Sequence, residues 1–256
     1  MKKKIKILVA THKTYNFPEG TMYQPIQVGK TIGLNDFGYL GDDTGDNISD
    51  KNRSFNELTA LYWAWKNEFF KDSDFCGLVH YRRYFSGQDT AINGKRVLGP
   101  DGAEKLMADS DVVVPKKRNY FVETIKSHYI HAHYEKDFNH IRELILEQSP
   151  SYIDAFDRVM GQRSLHLYNM FIMRPELFAA YCEWLFPLLF ELEKRVDISS
   201  YDDYQKRIFG FLAERLFNVW LLKNNLKVKE LKVVNIEGEN LLLKGLNMLK
   251  RKIVGK

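Results

Sequence analysis

The densest cluster of side chains that could bind an anion directly follows an apolar run of six residues, "FCGLVH". This group, called here the cationic cluster, consists of His80, Tyr81, Arg82, Arg83 and Tyr84. Guanidinium groups bind phosphates and carboxylates bidentately, and no acid stands next to either arginine in the sequence. The pattern therefore favours a phosphate-bearing ligand. The alternative is that both arginines pair with carboxylates elsewhere in the fold.

Two apolar segments that read as buried β-strands must position this cluster. Residues 4–11 form the first predicted strand, and "FCGLVH" at residues 75–80 forms another. Ligands of open α/β sheets bind at the carboxyl ends of parallel strands, so both strand ends should meet at one site. Because side chains alternate along an extended chain, Arg82 and Arg83 are expected on opposite sides. The donor contacts expected after the first strand are Thr11, His12 and Lys13.

A polar loop, "GDDTGDNISDKN" at residues 41–52, could contact the base, ribose or diphosphate of a nucleotide. Many such loops are simply solvated turns, and this one lacks the alternating oxygen ligands and distal glutamate of a calcium site. After it, Ser54 and Glu57 have the spacing of a capping box, which predicts the start of a helix. The candidate ligand contacts in the loop are Asn47, Lys51 and Asn52.

The short acidic stretch "DSD" at residues 72–74 matches the motif with which many sugar-nucleotide enzymes hold a divalent metal. It precedes its strand, at the back edge of a sheet whose ligands bind at the front, so we expect an ordinary turn. Arginines stand where a metal motif is expected. The sequence thus favours charge neutralisation by arginine, with no metal ligand assigned and Mn²⁺ or Mg²⁺ kept as the alternative.

Candidates for acceptor contacts and for a general base lie in the second half of the chain. Asn169 begins the apolar run "NMFIMR", where its amide could read sugar hydroxyls or merely start a strand. Glu214 could take the proton of an acceptor hydroxyl, or could pair with Arg207 two helical turns back. A wall that binds sugar or phosphate is indicated by "SHYIHAHY", with structural histidines as an equal alternative and zinc as a weaker one. Its histidines are His128, His131 and His133.

Composition narrows the class of protein. The net charge is 38 − 33 = +5, a mild excess that suits an anionic substrate, a membrane surface or nucleic acid equally. Two cysteines, Cys76 and Cys182, provide neither a disulfide scaffold nor a zinc ribbon and predict a reducing cytoplasm. The amino-terminal apolar run is too short for a signal peptide, and no segment reaches the roughly 20 apolar residues of a membrane span. No nucleic-acid reader motif is apparent, so no nucleic-acid partner is expected.

Six stretches in order carry a family resemblance: "GDNISDKN", "ELTALYWAWKN", "GLVHYRRYF", "SHYIHAHY", "NMFIMR" and "RIFGFLAERL". Together they resemble a family first catalogued as a domain of unknown function and then grouped with bacterial glycosyltransferases of capsule and O-antigen synthesis. The resemblance spans nearly the whole chain. It implies a GT-A-like fold, a nucleotide-activated sugar donor, often a galactose form, and a lipid-carried polysaccharide repeat as acceptor. The residues that it carries over as an active-site set are His80, Arg82, Arg83, Asn47, Lys51 and Asn52.

We therefore expect one α/β domain over residues 1–256, with a GT-A-like mixed, mainly parallel sheet flanked by helices and a helix-rich carboxyl-terminal half. Residues 1–118 would bind the nucleotide-sugar and residues 119–240 the acceptor. Residues 241–256, "LLLKGLNMLKRKIVGK", have the composition of a basic amphipathic helix on an anionic membrane, with a terminal core helix as the equal alternative.

The function expected from these residues and the resemblance is transfer of a hexose, galactose or galactofuranose, from a UDP-sugar to a lipid-linked oligosaccharide during surface polysaccharide synthesis. Arg82 or Arg83 would neutralise the leaving diphosphate, Glu214 would act as base, and His80 and Tyr81 would contact the donor. The enzyme would work in the cytoplasm or on the inner face of the cell membrane. The alternative is a noncatalytic sugar or nucleotide binding module.

Overall fold

The computed structural model describes residues 2–237, and the predicted basic tail at 241–256 lies outside the described residues. The predicted α/β class is confirmed, with a mixed and mainly parallel central sheet flanked by helices. Among residues 2–237, no helix combines the length and the apolar character that a membrane span requires.

Short strands, interrupted by polar turns, supply the sheets. The strands are β1 (Ile5–Thr11), β2 (Tyr23–Gln27), β3 (Leu40–Gly41), β4 (Phe75–His80), β5 (Arg83–Phe85), β6 (Thr90–Ile92), β7 (Lys95–Val97), β8 (Val112–Pro115), β9 (Arg118–Asn119), β10 (Ser164–Leu165), β11 (Phe171–Met173), β12 (Val228–Leu231) and β13 (Val233–Asn235).

Most helices lie in the second half of the chain, as expected. They are α1 (Asn52–Phe55), α2 (Leu58–Lys66), α3 (Pro100–Ala108), α4 (Ile125–Ala132), α5 (Glu135–Gln148), α6 (Ile153–Met160), α7 (Pro175–Arg195) and α8 (Ile208–Lys223).

The central sheet has the strand order β12-β8-β11-β4-β1-β2-β3. β1 runs parallel to β2 and β4, with Ile7 opposite Tyr23 on one side and Gly77 on the other. β11 is antiparallel to β4 and β8, while β12 is parallel to β8. The carboxyl ends of β1, β2, β4 and β8 therefore share one edge of the sheet, where ligands of such sheets bind.

The alternation of side chains along β1 divides the hydrophobic core into two layers. Leu8 faces the larger layer, which includes the buried faces of α2, α7 and α8. Ile7 and Val9 face the smaller layer, which includes Met107 of α3. With both faces covered, the sheet is a rigid support for the loops at its carboxyl edge.

Two details differ from the sequence expectation. The predicted capping box is wrong: the chain breaks at Asn56, which has φ 52°, and the Glu57 side chain makes no capping bond. Glu57 is thereby left for another role. The last predicted strand, residues 228–236, is in fact two strands, because β12 pairs with β8 whereas β13 pairs with β5.

Candidate active site

A cavity of roughly 460 Å³ opens at the carboxyl ends of β1 and β4. It is walled by β-strand ends on one side and by the breaks before α2 and α8 on the other. Of the residues expected at a site, the structure brings here His12, Asn52, His80, Tyr81, Arg82, Arg83 and Glu214. The other lining residues are Ala10, Val28, Asn56, Glu57, Tyr168 and Arg207.

The cationic cluster enters this cavity through a tight reversal of the chain. His80 at the end of β4 pairs with Arg83 at the start of β5, so Tyr81 and Arg82 form the turn between two antiparallel strands. The expectation that Arg82 and Arg83 point to opposite sides assumed an extended chain. It is wrong here, because the reversal brings both arginines to the lining of the same cavity.

The two arginines have different electrostatic surroundings. An Nη atom of Arg82 lies 3.5 Å from a carboxylate oxygen of Glu237, whose other oxygen is 3.2 Å from Nζ of Lys13. These two cations hold the pKa of Glu237 below its ordinary value, Lys13 having the larger effect. The guanidinium carbon of Arg83 lies 4.7 Å from the Tyr168 ring centre, and no carboxylate within residues 2–237 pairs with it. Within residues 2–237, Arg83 is thus a cavity cation without a carboxylate partner, as is Arg207.

Tyr168 and Asn169 form a strained turn behind the cavity. Their φ angles of 76° and 50° lie in the left-handed region, which is costly for residues with a side chain. The His80 Nε2 lies 2.7 Å from the Tyr168 carbonyl oxygen, and the Tyr168 N–H donates to a Glu214 oxygen at 2.7 Å. Burial lowers the pKa of His80, so the neutral ring donates its Nε2 hydrogen to that carbonyl. His80 and Glu214 therefore fix the turn that positions Tyr168 at the cavity.

Glu214 is a half-buried acid of the site, with a side chain that is 17% exposed. Burial raises its pKa, against the opposing effects of Arg215 and of the Tyr168 N–H. Its second oxygen is 3.3 Å from Arg215, so its ion-pair partner is its neighbour and not Arg207 as the helical spacing suggested. A carboxylate with a raised pKa that borders a cavity is suited to accept a proton near neutral pH.

The opposite wall contains residues that the sequence reasoning did not assign to the site. Glu57 accepts a hydrogen bond from the Asn169 amide at 2.7 Å, and Arg207 donates through Nε to Asn56 at 2.9 Å. Gly210 lies directly behind Asn56, since an added Cβ there would be 2.5 Å from its Nδ2. Glu57 was missed because its spacing from Ser54 imitates a helix cap. The asparagine before it, at the point where the helix breaks, was the available signal.

A second cavity of about 320 Å³ shares His12, Val28 and Asn52 with the first and extends along the loop after β2. That loop is fixed by Asp42, which is fully buried and accepts hydrogen bonds from the Gly29 and Lys30 N–H groups. The Asp42 carboxylate also accepts from two hydroxyls, those of Ser49 and Thr59. The connected space is therefore built on an ordered loop.

Several predicted site residues lie outside both cavities. The Lys51 ammonium pairs with Glu193 at 2.7 Å, and the Asn47 side chain closes a local turn through the Gly45 carbonyl and the Ser49 N–H. The Thr11 side chain is buried and bonds to the Lys13 carbonyl. These three residues shape the loops around the site without bordering it.

The predicted acceptor residues do not line either cavity. His128 stacks on Tyr120 at 3.8 Å, and His131 bonds to Glu123 at 2.5 Å. His133 does not line the cavity; its ring bonds to Gln205 at 2.9 Å, and burial lowers its pKa to about 4. Asn169 is 3% exposed, its amide nitrogen being held by Glu57. The structural alternative for these histidines thus has the better geometric support.

The acidic "DSD" stretch lies at the opposite edge of the sheet. Asp74 accepts from the Lys4 N–H at 2.8 Å and pairs with the Lys3 ammonium at 2.8 Å, at the amino ends of β1 and β4. Residues 2–237 contain no group of three or more His, Cys, Asp or Glu side chains arranged to hold a metal ion. The charges that border the cavity are instead arginines and glutamates.

The chain is similar to one protein family and to a solved structure. A family model described as "Domain of unknown function (DUF4422)" matches residues 6–225. The chain belongs to this family. A solved structure described as the apo form of the WbbM bifunctional glycosyltransferase is similar, with a TM-score of 0.81 and 31% identity over 92% of this chain. The match covers 46% of that protein, so the present chain spans a little under half of its length. No curated protein sequence matches.

The fold and the sequence of the two proteins agree over nearly the whole of the present chain. The expected relation to glycosyltransferases is confirmed at this level. The sugar, the donor nucleotide, the acceptor and the individual roles of the site residues stay predictions.

Proposed function

We propose that this protein is a hexosyltransferase that moves galactose or galactofuranose from a UDP-sugar to a lipid-linked oligosaccharide in surface polysaccharide synthesis. The observation that carries the proposal is that one cavity contains both a cation suited to bind a phosphate and a carboxylate suited to accept a proton. Arg83 has no carboxylate partner among residues 2–237, and the half-buried Glu214 borders the same space. The similar solved protein is described as a glycosyltransferase, which supports the proposed reaction type.

The donor is proposed to bind with its diphosphate at the cationic cluster. Negative charge grows on the leaving diphosphate as the glycosidic bond breaks, so a fixed guanidinium stabilises the transition state more than the ground state. Arg83 is held against Tyr168, whose backbone is fixed by His80 and Glu214. Such a preorganised cation loses little energy to reorganisation during the reaction.

The nucleoside is proposed to occupy the second cavity, which connects through His12 and Asn52. The ordered loop around Gly29 and Asp42 lies there, and aromatic residues are close by. Tyr81 contacts the rings of His12 and Tyr15 edge-on at 5.3 and 5.1 Å. Arg82, partly neutralised by Glu237, would exchange this carboxylate for the diphosphate.

Glu214 is the proposed general base for the acceptor hydroxyl. Its raised pKa lies closer to neutral pH than that of an exposed glutamate, which favours proton transfer in both binding and release. Glu57, fixed by Asn169, is a second carboxylate in the cavity and would accept hydrogen bonds from sugar hydroxyls. We propose that neutralisation by arginine replaces a metal ion, with the reaction taking place in the cytoplasm or at the inner face of the membrane.

The alternative proposal is a noncatalytic sugar or nucleotide binding module. The same arginines would hold the anion, and no base would be needed. Glu214 favours the enzyme, because a carboxylate that borders the cavity and has a raised pKa can accept a proton in addition to holding the Tyr168 N–H.

The test is a screen of the purified protein against UDP-, GDP-, CMP- and dTDP-sugars, each with EDTA or with manganese. Thermal stabilisation reports binding, and slow release of the nucleoside diphosphate reports catalysis. Stabilisation and hydrolysis with one UDP-sugar in EDTA would support the metal-independent transferase. Stabilisation without hydrolysis or transfer would support the binding module, and no response to any nucleotide would contradict both.

A further inference from the structure

The loop beyond β8 and the two-residue strand β9 presents two apolar side chains to solvent. Phe121 is 76% exposed and Val122 is 84% exposed. Because β8 is aligned with β4 through β11, this loop leaves the sheet at the same edge as the cavity. Solvent exposure of adjacent large apolar residues at a loop tip indicates a surface that binds something apolar.

The chain around this tip is basic and unneutralised. Five exposed cations surround it in the sequence or in space, and none forms an ion pair within residues 2–237. The adjacent acid, Glu123, is engaged by His131. The five are Lys116, Lys117, Arg118, Lys126 and Arg163.

The charges lie close to the apolar tip. An Nη atom of Arg163 donates to the Phe121 carbonyl at 3.3 Å, because β9 and β10 pair and bring residues 163 and 120 together. Arg118 is three residues from Phe121, so their Cα atoms are at most roughly 11 Å apart. At this spacing the cations and the apolar tip can contact one surface together.

We propose that Phe121 and Val122 insert into the headgroup region of an anionic phospholipid bilayer while the five cations contact its phosphates. A basic segment with an aromatic and an aliphatic side chain at its tip is the pattern of peripheral membrane contact. A protein partner is less favoured, because two apolar side chains fall far short of the roughly 800 Å² that each partner of a stable complex buries.

This inference deepens the proposed function, and its physiological meaning rests on that function's lipid-linked acceptor. A contact at this edge of the sheet would face the cavity toward the membrane surface that carries such an acceptor. The contact itself can be measured without turnover, so the two proposals can fail separately.

The first test is sedimentation of the full chain with vesicles of phosphatidylcholine alone or enriched in phosphatidylglycerol. We expect binding to the anionic vesicles, reduced about tenfold or more when Phe121→Ser and Val122→Ser are combined. Combining Lys116→Gln with Arg118→Gln should also weaken binding, by about 25-fold, since each basic residue contributes roughly fivefold. The matched control is Leu146→Ser, which removes an apolar side chain that is 52% exposed on α5. Equal binding of all variants, or equal binding to both vesicle types, would overturn the proposal.

The second test identifies the part of the chain that contacts lipid. Cys76 and Cys182 are both 0% exposed, so a Phe121→Cys variant can be labelled selectively with an environment-sensitive dye. We expect a blue shift of the dye on anionic vesicles and quenching by brominated lipid. Sedimentation without any dye response would mean that another segment binds the membrane and would refute this site. An absence of vesicle binding, with capture of a protein partner instead, would refute it as well.

Donor hydrolysis by the same variants separates this inference from the proposed function. Neither Phe121 nor Val122 borders the cavity, so hydrolysis of a soluble UDP-sugar should be unchanged in their double variant. Vesicle binding with no hydrolysis by the unmodified protein would support the docking surface and contradict the transferase. Hydrolysis without vesicle binding would do the reverse.

Discussion

The Nε2 atom of His80 lies 2.7 Å from the carbonyl oxygen of Tyr168, although 88 positions separate the two residues in the chain. This bond joins the end of β4 to the turn before β11, and β4 and β11 are neighbours in the sheet. Because Tyr168 in turn contacts Arg83 and binds Glu214 through its N–H, the strained turn couples the site's cation to its acid. Substitutions of Arg83 and Glu214 should therefore distinguish catalytic from structural roles of these two residues.

Replacing Arg83 by Ala is expected to lower turnover of the donor by about 100-fold, because a fixed charge that stabilises the leaving group is lost. Arg82→Ala should lower it by orders of magnitude too, because Glu237 would then stand beside the site with only Lys13 to neutralise it. Steady-state kinetics and thermal unfolding of each variant measure the two effects. The matched control is Arg142→Ala, which removes an arginine that pairs with Asp157 on the surface. Near-normal turnover in both cavity variants would remove the arginines from the mechanism.

Replacing Glu214 by Gln is expected to abolish most transfer while donor binding remains. The glutamine oxygen can still accept from the Tyr168 N–H, but it cannot take a proton, and loss of a general base costs roughly 100-fold or more. Burial raises the pKa of Glu214, so activity of the unmodified enzyme should fall with decreasing pH at a value above that of an ordinary glutamate. The pH–rate profile of kcat/KM tests this. An unchanged acidic limb in E214Q would assign the base to another residue, with Glu57 the next candidate.

Replacing Gly210 by Ala is expected to disturb the cavity wall from behind. The new methyl group would meet the Asn56 amide at 2.5 Å, and Asn56 holds Arg207 at the cavity. Such overpacking costs typically about 1–3 kcal/mol, here in the free energy of unfolding, and should raise the KM for the donor. Urea unfolding and kinetics provide the measurements. Gly161→Ala is the control, since its methyl group would meet its nearest neighbour at an ordinary 3.5 Å.

His133 is expected to make the folded state sensitive to acid. Its folded pKa of about 4 lies below the roughly 6.5 of an unfolded histidine, so the unfolded chain binds an extra proton between these values. The free energy of unfolding should therefore decrease as the pH falls from about 6.5 to about 4. His133→Phe keeps the stacking on Phe211 and should show a shallower pH dependence by urea unfolding at several pH values. An identical slope in both proteins would contradict this assignment.

The sheet and the cationic cluster were predictable from the sequence because they depend on local patterns. The apolar runs at residues 4–11 and 75–80 could only be strands, and the position of the cluster at a strand end located the site. The direction of Arg82 was not predictable. It depends on the chain reversal between β4 and β5, and β5 is held in place by pairing with β13, a strand far away in the sequence.

The site residues that were missed depend on contacts across long stretches of chain. Glu57 resembles a helix cap until Asn169, more than one hundred positions away, is seen to hold its carboxylate. Lys51 has the sequence position of a phosphate ligand, but its ammonium group forms an ion pair with Glu193. In each case a charged residue has a local interpretation, and the tertiary partner decides between that interpretation and the alternative. No single-sequence pattern encodes such partners.

The shared carboxylate of Glu237 has a consequence for selectivity. Its carboxylate already pairs with the guanidinium of Arg82 and the ammonium of Lys13. A small monoanion such as chloride or acetate offers these cations no more than the charge that they already have, so it gains little by displacing the glutamate. A diphosphate brings more charge and several acceptor oxygens, and can engage Arg82 and Arg83 together. The glutamate thus acts as an internal competitor that sets a minimum charge for any ligand of the cavity.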